Sequence, residues 1–502
     1  MEHVAQAFSL ILDPYVLAVI GGSAVYGLFV GAIPGLTATM ATALLVPVTF
    51  FMPPVPAVAA IVTATAMAIF SGDIPGALLR IPGTPASAAY CDEAYAMTCK
   101  GQAELVLGAG LVFSVIGGLF GTAVLIAAAP ALAEVALRFS SFEYFWLVIL
   151  GLSSAVFLAI GNPLKGLISL LLGLLVSAVG LDNPAGFPRF TFGNAELAGG
   201  LTLIPIMIGM FAVSEIIRGV AGIDKPWEMA QASIGNVFRG MGGLIRKYPW
   251  QTLRGSTLGT AIGALPGAGA DIAAWMSYAM SKKFSKEPEK FGTGHVEGII
   301  EAGAANNSAL AGAWIPALVF GIPGDSITAI VIGVLYIKGL NPGPTIFMNN
   351  AVALYAIFIV FILANLLMIP LGVAAIKSAK QMLRAPRELL LPVILLFCIV
   401  GSFAINNSAF GVLLMLVFGV IGYLMEENGF PVAPAILGMV LGAMLEEHFI
   451  SSMIKADGRL IAFFERPIAG GLGILTLAVL SVPLIRAFFR TTMRIPGGGT
   501  PK

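Results

Sequence analysis

Apolar residues in this chain cluster in long runs instead of alternating with polar ones. In the first half the runs lie at about 15 to 33, 36 to 52, 55 to 70, 105 to 130, 142 to 160, 164 to 180 and 200 to 217. In the second they lie at about 256 to 280, 306 to 337, 350 to 376, 389 to 405, 408 to 425, 431 to 449 and 468 to 487. Many approach or exceed the ~20 residues that a helix needs to cross hydrocarbon. Their recurrence from end to end excludes a soluble domain carrying one anchor. The every-second-residue alternation of barrel strands is missing, so helices must satisfy the backbone in lipid. The pattern predicts an all-α polytopic membrane protein with roughly twelve to fourteen transmembrane or half-membrane helices.

Four of these regions are interrupted by Pro-Gly pairs. The first, Gly31-Ala32-Ile33-Pro34-Gly35-Leu36-Thr37-Ala38-Thr39-Met40, shares its Gly-Ala-aliphatic-Pro-Gly core with Gly263-Ala264-Leu265-Pro266-Gly267-Ala268-Gly269-Ala270-Asp271. A second element follows each copy, Ile81-Pro82-Gly83-Thr84 and Ile322-Pro323-Gly324-Asp325. Pro266 lies 232 residues after Pro34, and Pro323 lies 241 after Pro82. Two halves of similar length, residues 1–217 and 255–502, are therefore expected to carry the same pair of breaks. Residues 218–254, which hold Arg218, Lys225, Arg239, Arg246, Lys247 and Arg254, read as the linker between them.

Charge placement adds topology. No Lys or Arg precedes Arg80, whereas Arg239, Arg246, Lys247 and Arg254 stand on one side of the third break and Lys282, Lys283, Lys286 and Lys290 on the other. Positive charge favours the cytoplasm. Both flanks of the third break are then expected inside and both flanks of the first outside, which makes each a re-entrant hairpin and the pair two inverted repeats, as in secondary transporters. A kinked full span at 256 to 280 is the plainer alternative. Arg486, Arg490, Arg494 and Lys502 put the carboxy terminus in the cytoplasm too.

Composition agrees with a membrane protein: 58% of residues are hydrophobic and 11% charged, with a mean hydropathy of +0.95, against roughly 25% charged in soluble proteins. The net charge of +1 comes with no basic tail and no nucleic-acid motif, so no nucleic-acid partner is expected. Cys91, Cys99 and Cys398 lack metal-ligand spacing and read as small packing residues. The first apolar run lacks a basic region before it and reads as a retained helix.

A helix break at membrane depth survives only where protein buries it or a polar cavity wets it. Unwinding frees amides that can hold a carboxylate and carbonyls that can hold a cation. The expected solute site is therefore built from Gly31, Pro34, Gly35 and Thr37, from Pro82, Gly83 and Thr84, from Pro266, Gly267 and Gly269, and from Pro323, Gly324 and Ser326. Thr39, Ser87 and Thr328 add hydroxyls, although Ser and Thr also cap and pack. Asp73, Asp271 and Asp325 each lie within five residues of a Pro-Gly pair, where an ionised group costs a few kcal/mol unless partnered. A bound cation is the expected partner, with Asn306 and Asn307 as neutral donors. The alternative is that the aspartates cap half-helices. Arg80 is expected to pair with Asp73 or a solute, or to reach for the interface. Glu297 and Glu301, after His295, read as a solvated loop helix more readily than as metal ligands.

No phosphate loop ends in Gly-Lys-Ser/Thr, so ATP is not expected to drive this chain directly. His3, His295 and His448 lie outside the broken segments, which leaves no acid-base pair there for an enzyme. A passive anion channel or pore is the alternative function, but filters usually come from rings of subunits, not from paired internal repeats.

Several blocks, in order, resemble the large membrane subunit of tripartite tricarboxylate transporters. They are Gly31 to Phe50, Ile81 to Ser87, Arg189 to Leu197, Gly263 to Tyr278, Glu301 to Ala309, Gly321 to Pro344 and Phe418 to Glu447. The resemblance implies a multi-pass permease of the bacterial inner (plasma) membrane. It would work with a small four-helix membrane subunit and a periplasmic solute-binding protein that delivers an organic carboxylate. Import would draw on a Na+ or H+ gradient, with Na+ as the one possible bound ion and no other cofactor. Two stretches depart from the family pattern: Ser71-Gly72-Asp73 replaces a Tyr-Gly-Gly-Ser stretch, and Tyr90 to Tyr95 replaces a Leu-Asp-Gly-Tyr run. The charge of Asp73 argues against simply copying a tricarboxylate onto this chain.

Overall fold

A computed structural model describes residues 2–157, 163–181, 186–221, 234–383 and 387–492. Helices α1 (Glu2–Ile11), α2 (Pro14–Ala32), α3 (Ala38–Phe50), α4 (Pro54–Ser71), α5 (Asp73–Leu79), α6 (Cys91–Cys99), α7 (Ala103–Ala136), α8 (Ser141–Phe157), α9 (Pro163–Ser177) and α10 (Leu203–Ala221) make up the first half. Helices α11 (Met241–Lys247), α12 (Pro249–Gly263), α13 (Gly269–Phe284), α14 (Val296–Phe320), α15 (Ser326–Ile337), α16 (Ala351–Met382), α17 (Arg387–Asn406), α18 (Ala409–Glu427), α19 (Val432–Lys455) and α20 (Pro467–Thr492) follow. Among the described residues the one β pairing is an isolated bridge between Gly180 and Arg189. Eight of the described helices are long and apolar enough to cross a membrane, and five shorter apolar helices accompany them. Most expected spans coincide with these helices, whereas the expected run at 256 to 280 falls on α12 and α13 and the start of that at 306 to 337 on α14, none of which is among them. Of the expected polar segments, Asp182 to Ala185, part of the linker with Lys225, and the terminal Arg494 and Lys502 lie outside the described residues.

Each of the four breaks follows the end of a helix where the sequence places it, while a further pair, Pro75-Gly76, lies inside α5. Gly35 and Gly267 have φ of 91° and 83°, a region open to glycine at little cost. The chain leaves α2 at Ala32 and restarts at Ala38, capped by the Thr37 hydroxyl on the Met40 amide at 3.2 Å. It leaves α12 at Gly263 and restarts at Gly269.

The core is built around α4 and α14, which are buried nearly all round, as helices apolar on every face are. Small residues let their neighbours approach closely. A methyl group built on Gly27 or Gly31 of α2 would strike the backbone of Ala64 or Ala68 in α4, and one on Gly259 or Gly263 of α12 would strike Ala305 or Ala309 in α14. At the second breaks, a methyl on Gly83 would stand 2.8 Å from the Gly31 carbonyl oxygen, and one on Gly324 2.8 Å from the Gly263 carbonyl oxygen. The same contacts thus recur at the spacings of 232 and 241 residues that separate the motifs.

The halves also interlock. α4 packs on α16 of the second half, α14 on α7 of the first, and α7 on α16. Likewise α3 meets α15, while α13 meets the turn at 87–89 that leads into α6. The linker is partly helical: α10 runs to Ala221, and α11 and the start of α12 occupy 241–254.

Candidate functional site

The ends of all four breaks meet at one cavity of about 370 Å³. Thr37 and Thr39 enter it from the start of α3, Thr84 and Pro85 from the second break, Gly267, Gly269 and Asp271 from the start of α13, and Asp325 and Ser326 from the start of α15. Asn306, midway along α14, lines it as well. Among the described residues no Lys or Arg does. The structure thus brings into one place residues 288 positions apart in sequence, from Thr37 to Asp325.

The start of the segment after each second break is a reciprocal cap. Thr84 N–H donates to Ser87 Oγ and Ser87 N–H to Thr84 Oγ1, both at 3.1 Å. In the other half, Asp325 N–H donates to Thr328 Oγ1 and Thr328 N–H to Asp325 Oδ1, both at 2.8 Å. Such caps tie down amides that a helix start leaves free. Asp325 is therefore a cap, as the plainer reading has it, and it also lines the cavity. Asp271, in the first turn of α13, opens onto the cavity, and the Ala86 amide from the other half faces its carboxylate.

Other residues expected at the site do different work. Gly31, Gly83 and Gly324 are buried packing positions where backbones touch. Pro34 and Gly35 line a separate pocket of about 220 Å³ with Glu215 and Arg218. Pro266 packs near Gly151 of α8, where an added methyl would lie 3.0 Å from its ring. Pro82 is exposed and Pro323 buried, and neither lines the main cavity.

Asp73 is set back from the cavity in the first turn of α5. The buried Tyr90 hydroxyl donates to its Oδ1 at 2.6 Å, and Asn306 Nδ2 donates to the same hydroxyl at 3.4 Å. Among the described residues Asp73 Oδ2 and Asn306 Oδ1 have no hydrogen-bond partner, and neither amide atom of the buried Asn307 has one. Arg80 pairs with Asp92 at 2.8 Å, both exposed, and not with Asp73.

The solvated reading of Glu297 and Glu301 is wrong. Glu301 is fully buried and takes two bonds from Arg254, at 2.7 and 2.5 Å. Glu297 is buried against Gln251, Ser285 and His295. Burying a carboxylate is tolerable when a guanidinium and several donors meet it, and these partners come from α12 and the loop before α14. No group of three or more His, Cys, Asp or Glu residues is placed to hold a metal ion among the described residues.

Sequence reasoning missed several residues here. Phe211 lines the cavity from a π-helical turn at 209–213, and Pro431 to Pro434 line it from the start of α19. Glu426 lines it too, held by Arg218 at 2.6 Å. The Trp275 indole, one turn after Asp271, donates to the Pro85 carbonyl at 3.2 Å. Glu93, fully buried, gathers the Tyr278 hydroxyl and the amides of Gly292, Gly294 and His295, so α6 grips the loop before α14. None belongs to a Pro-Gly motif.

The family model described as the tripartite tricarboxylate transporter TctA family matches residues 16–437. An Agrobacterium vitis protein described as an uncharacterized 52.8 kDa protein in the TAR-I ttuC' 3'region is 34% identical over 490 residues, 97% of either chain. A second from that organism, described as an uncharacterized protein in the TAR-II ttuC' 3'region, is 35% identical over 232 residues, 46% of this chain and 96% of its own length. No solved structure matches significantly.

Proposed function

This chain belongs to the tripartite tricarboxylate transporter TctA family, and on that premise we propose that it is the permease subunit of a binding-protein-dependent importer of an organic carboxylate. The observation that carries the reading is the meeting of all four helix breaks at a single cavity of about 370 Å³, a size suited to a small organic anion. Amides and hydroxyls at Thr37, Thr39 and Ser326, together with the Thr84 hydroxyl, hold the solute's carboxylate, because helix starts favour an anion. Asp271, Asp325, Asn306 and, behind them, Asp73 and Asn307 are the groups through which a cation gradient is coupled to uptake.

The two halves, 1–217 and 255–502, act as inverted repeats with re-entrant hairpins at α2–α3 and α12–α13. The recurrence of the Gly31–Gly83 contact at Gly263–Gly324, and the basic residues on both flanks of the second hairpin, support this reading. The partners are a small four-helix membrane subunit and a periplasmic binding protein, and the location is the bacterial inner membrane.

The test is solute uptake by vesicles containing the chain with both partners. Accumulation that follows an imposed Na+ or H+ gradient and requires the binding protein supports the assignment. Equilibration without accumulation, whatever the gradient, would identify a passive pore instead.

A further inference from the structure

The cavity is built from two halves that match in backbone and differ in charge. At the spacing of 232 residues Asp271 stands where the first half has Thr39, and at 241 residues Asp325 stands where the first half has Thr84. The cap pairs make the comparison direct: Thr84 with Ser87 is neutral, while Asp325 with Thr328 carries a carboxylate in the same reciprocal arrangement. Both aspartates open on the cavity, and they are neighbours, since a methyl built on Gly269, two residues before Asp271, would lie 2.6 Å from Asp325 Cβ.

Neither aspartate forms an ion pair among the described residues. The third carboxylate at the cavity, Glu426, differs in having a cationic partner, Arg218, which it shares with Glu215 and Glu427. Two adjacent carboxylates without a counter-charge are unfavourable in a partly dry cavity, and the second-half pole must gain positive charge when a carboxylate solute enters. Asn306 shows what brings that charge. It is 1% exposed, lines the cavity, and holds its Oδ1 without a partner. A proton shared by the two carboxyl groups would leave that oxygen unsatisfied. A metal cation accepts all three oxygens together, and Gly267 and Ala268 of the unwound stretch between α12 and α13 line the same cavity.

We infer that Asp271, Asp325 and Asn306 Oδ1 form a sodium site at the second-half pole of the cavity, leaving the neutral pole around Thr39 and Thr84 for the solute's carboxylate. This inference rests on the transporter reading for its purpose. Its chemistry is testable without transport.

The experiment uses the purified full chain in detergent, with choline replacing sodium at constant ionic strength. Sodium alone should raise the unfolding temperature, because a ligand of the folded state stabilises it. It should also change the emission of Trp275, a change absent from Trp275→Phe. Asp271→Asn and Asp325→Asn should each weaken sodium binding roughly 100-fold, and Asn306→Ala roughly 10-fold, since ligand charge and number set cation affinity. Asp92→Asn, at the exposed Arg80 pair, should leave it unchanged. Unfolding temperatures in choline show whether each variant is folded. Sodium acting no better than choline or potassium overturns the inference, as does an undiminished response in a folded Asp271→Asn protein. A proton-driven importer indifferent to sodium would overturn the site and keep the function. A sodium-binding chain that moves no solute with its partners would keep the site and overturn the function.

Discussion

The Tyr90 hydroxyl donates a 2.6 Å hydrogen bond to Asp73, joining two residues 17 positions apart in sequence. Both side chains are buried, Asp73 at 8% exposure and Tyr90 at 2%. The phenol supplies a donor to a carboxyl group buried at this point, and the Asn306 amide links the pair to the cavity wall.

Tyr90→Phe removes that donor and should destabilise the protein by about 1–3 kcal/mol, the usual cost of stranding a buried polar group. Adding Asp73→Asn to Tyr90→Phe should recover part of the loss. Unfolding of the two single variants and the double variant in detergent gives the coupling directly. Strict additivity would mean that the hydrogen bond is not an energetic unit.

Gly83 and Gly324 make the second test. Each lies against the carbonyl of a glycine near the end of the preceding hairpin's first helix, Gly31 or Gly263. Gly83→Ala and Gly324→Ala should each cost about 1–3 kcal/mol by overpacking. Gly101→Ala should show no packing penalty, because a methyl there meets nothing within 4 Å, and only the strain of its φ of 77° remains. Similar unfolding temperatures for Gly83→Ala and the parent would mean that the backbones separate easily.

Lys100 and Lys338 fasten the connections that follow the two hairpins. Each is the C-cap of the half-helix that follows a second break, and each donates to the connection after the other half's hairpin: Lys100 to Thr293 O at 2.6 Å, Lys338 to Phe50 O and Met52 O at 2.7 Å. Lys338→Met should speed amide exchange in the loop around Phe51 roughly tenfold, equivalent to about 1.4 kcal/mol, without affecting the loop at 291–294. Lys100→Met should do the reverse. Equal effects on both loops would point to general loosening instead of two separate fastenings.

The helices are legible in the sequence because lipid demands long apolar runs, and the breaks because Pro and Gly disfavour a helix interior. Their meeting at one cavity is legible only as a repeat. The division of labour within each motif is not. Gly31 reads as a solute residue, yet the spacing of Gly27 with Gly31, and of Gly259 with Gly263, is the small-xxx-small signal of close helix packing. Glu301 reads as solvated because its partner, Arg254, lies 47 residues earlier, and nothing local marks such a pair. Glu93 and Glu426 are hidden for the same reason: the groups they hold come from across the fold, where sequence spacing carries no signal.

The last prediction concerns topology. Trp250 and Phe284 stand near the outer ends of α12 and α13, 77% and 56% exposed, and Phe51 follows α3 at 75% exposure. With Cys91, Cys99 and Cys398 replaced by alanine, single cysteines are introduced as Trp250→Cys, Phe284→Cys, Asp13→Cys and Phe51→Cys. If α12–α13 is re-entrant, a membrane-impermeant thiol reagent should reach positions 250 and 284 only from the cytoplasmic face, as the eight basic residues around them require. If α2–α3 is its inverted counterpart, positions 13 and 51 should react only from outside. Labelling of 250 and 284 from opposite faces would make 256 to 280 a kinked span. Labelling of all four from one face would keep the hairpins and remove the inversion, and the two poles of the cavity could then no longer face opposite sides of the membrane.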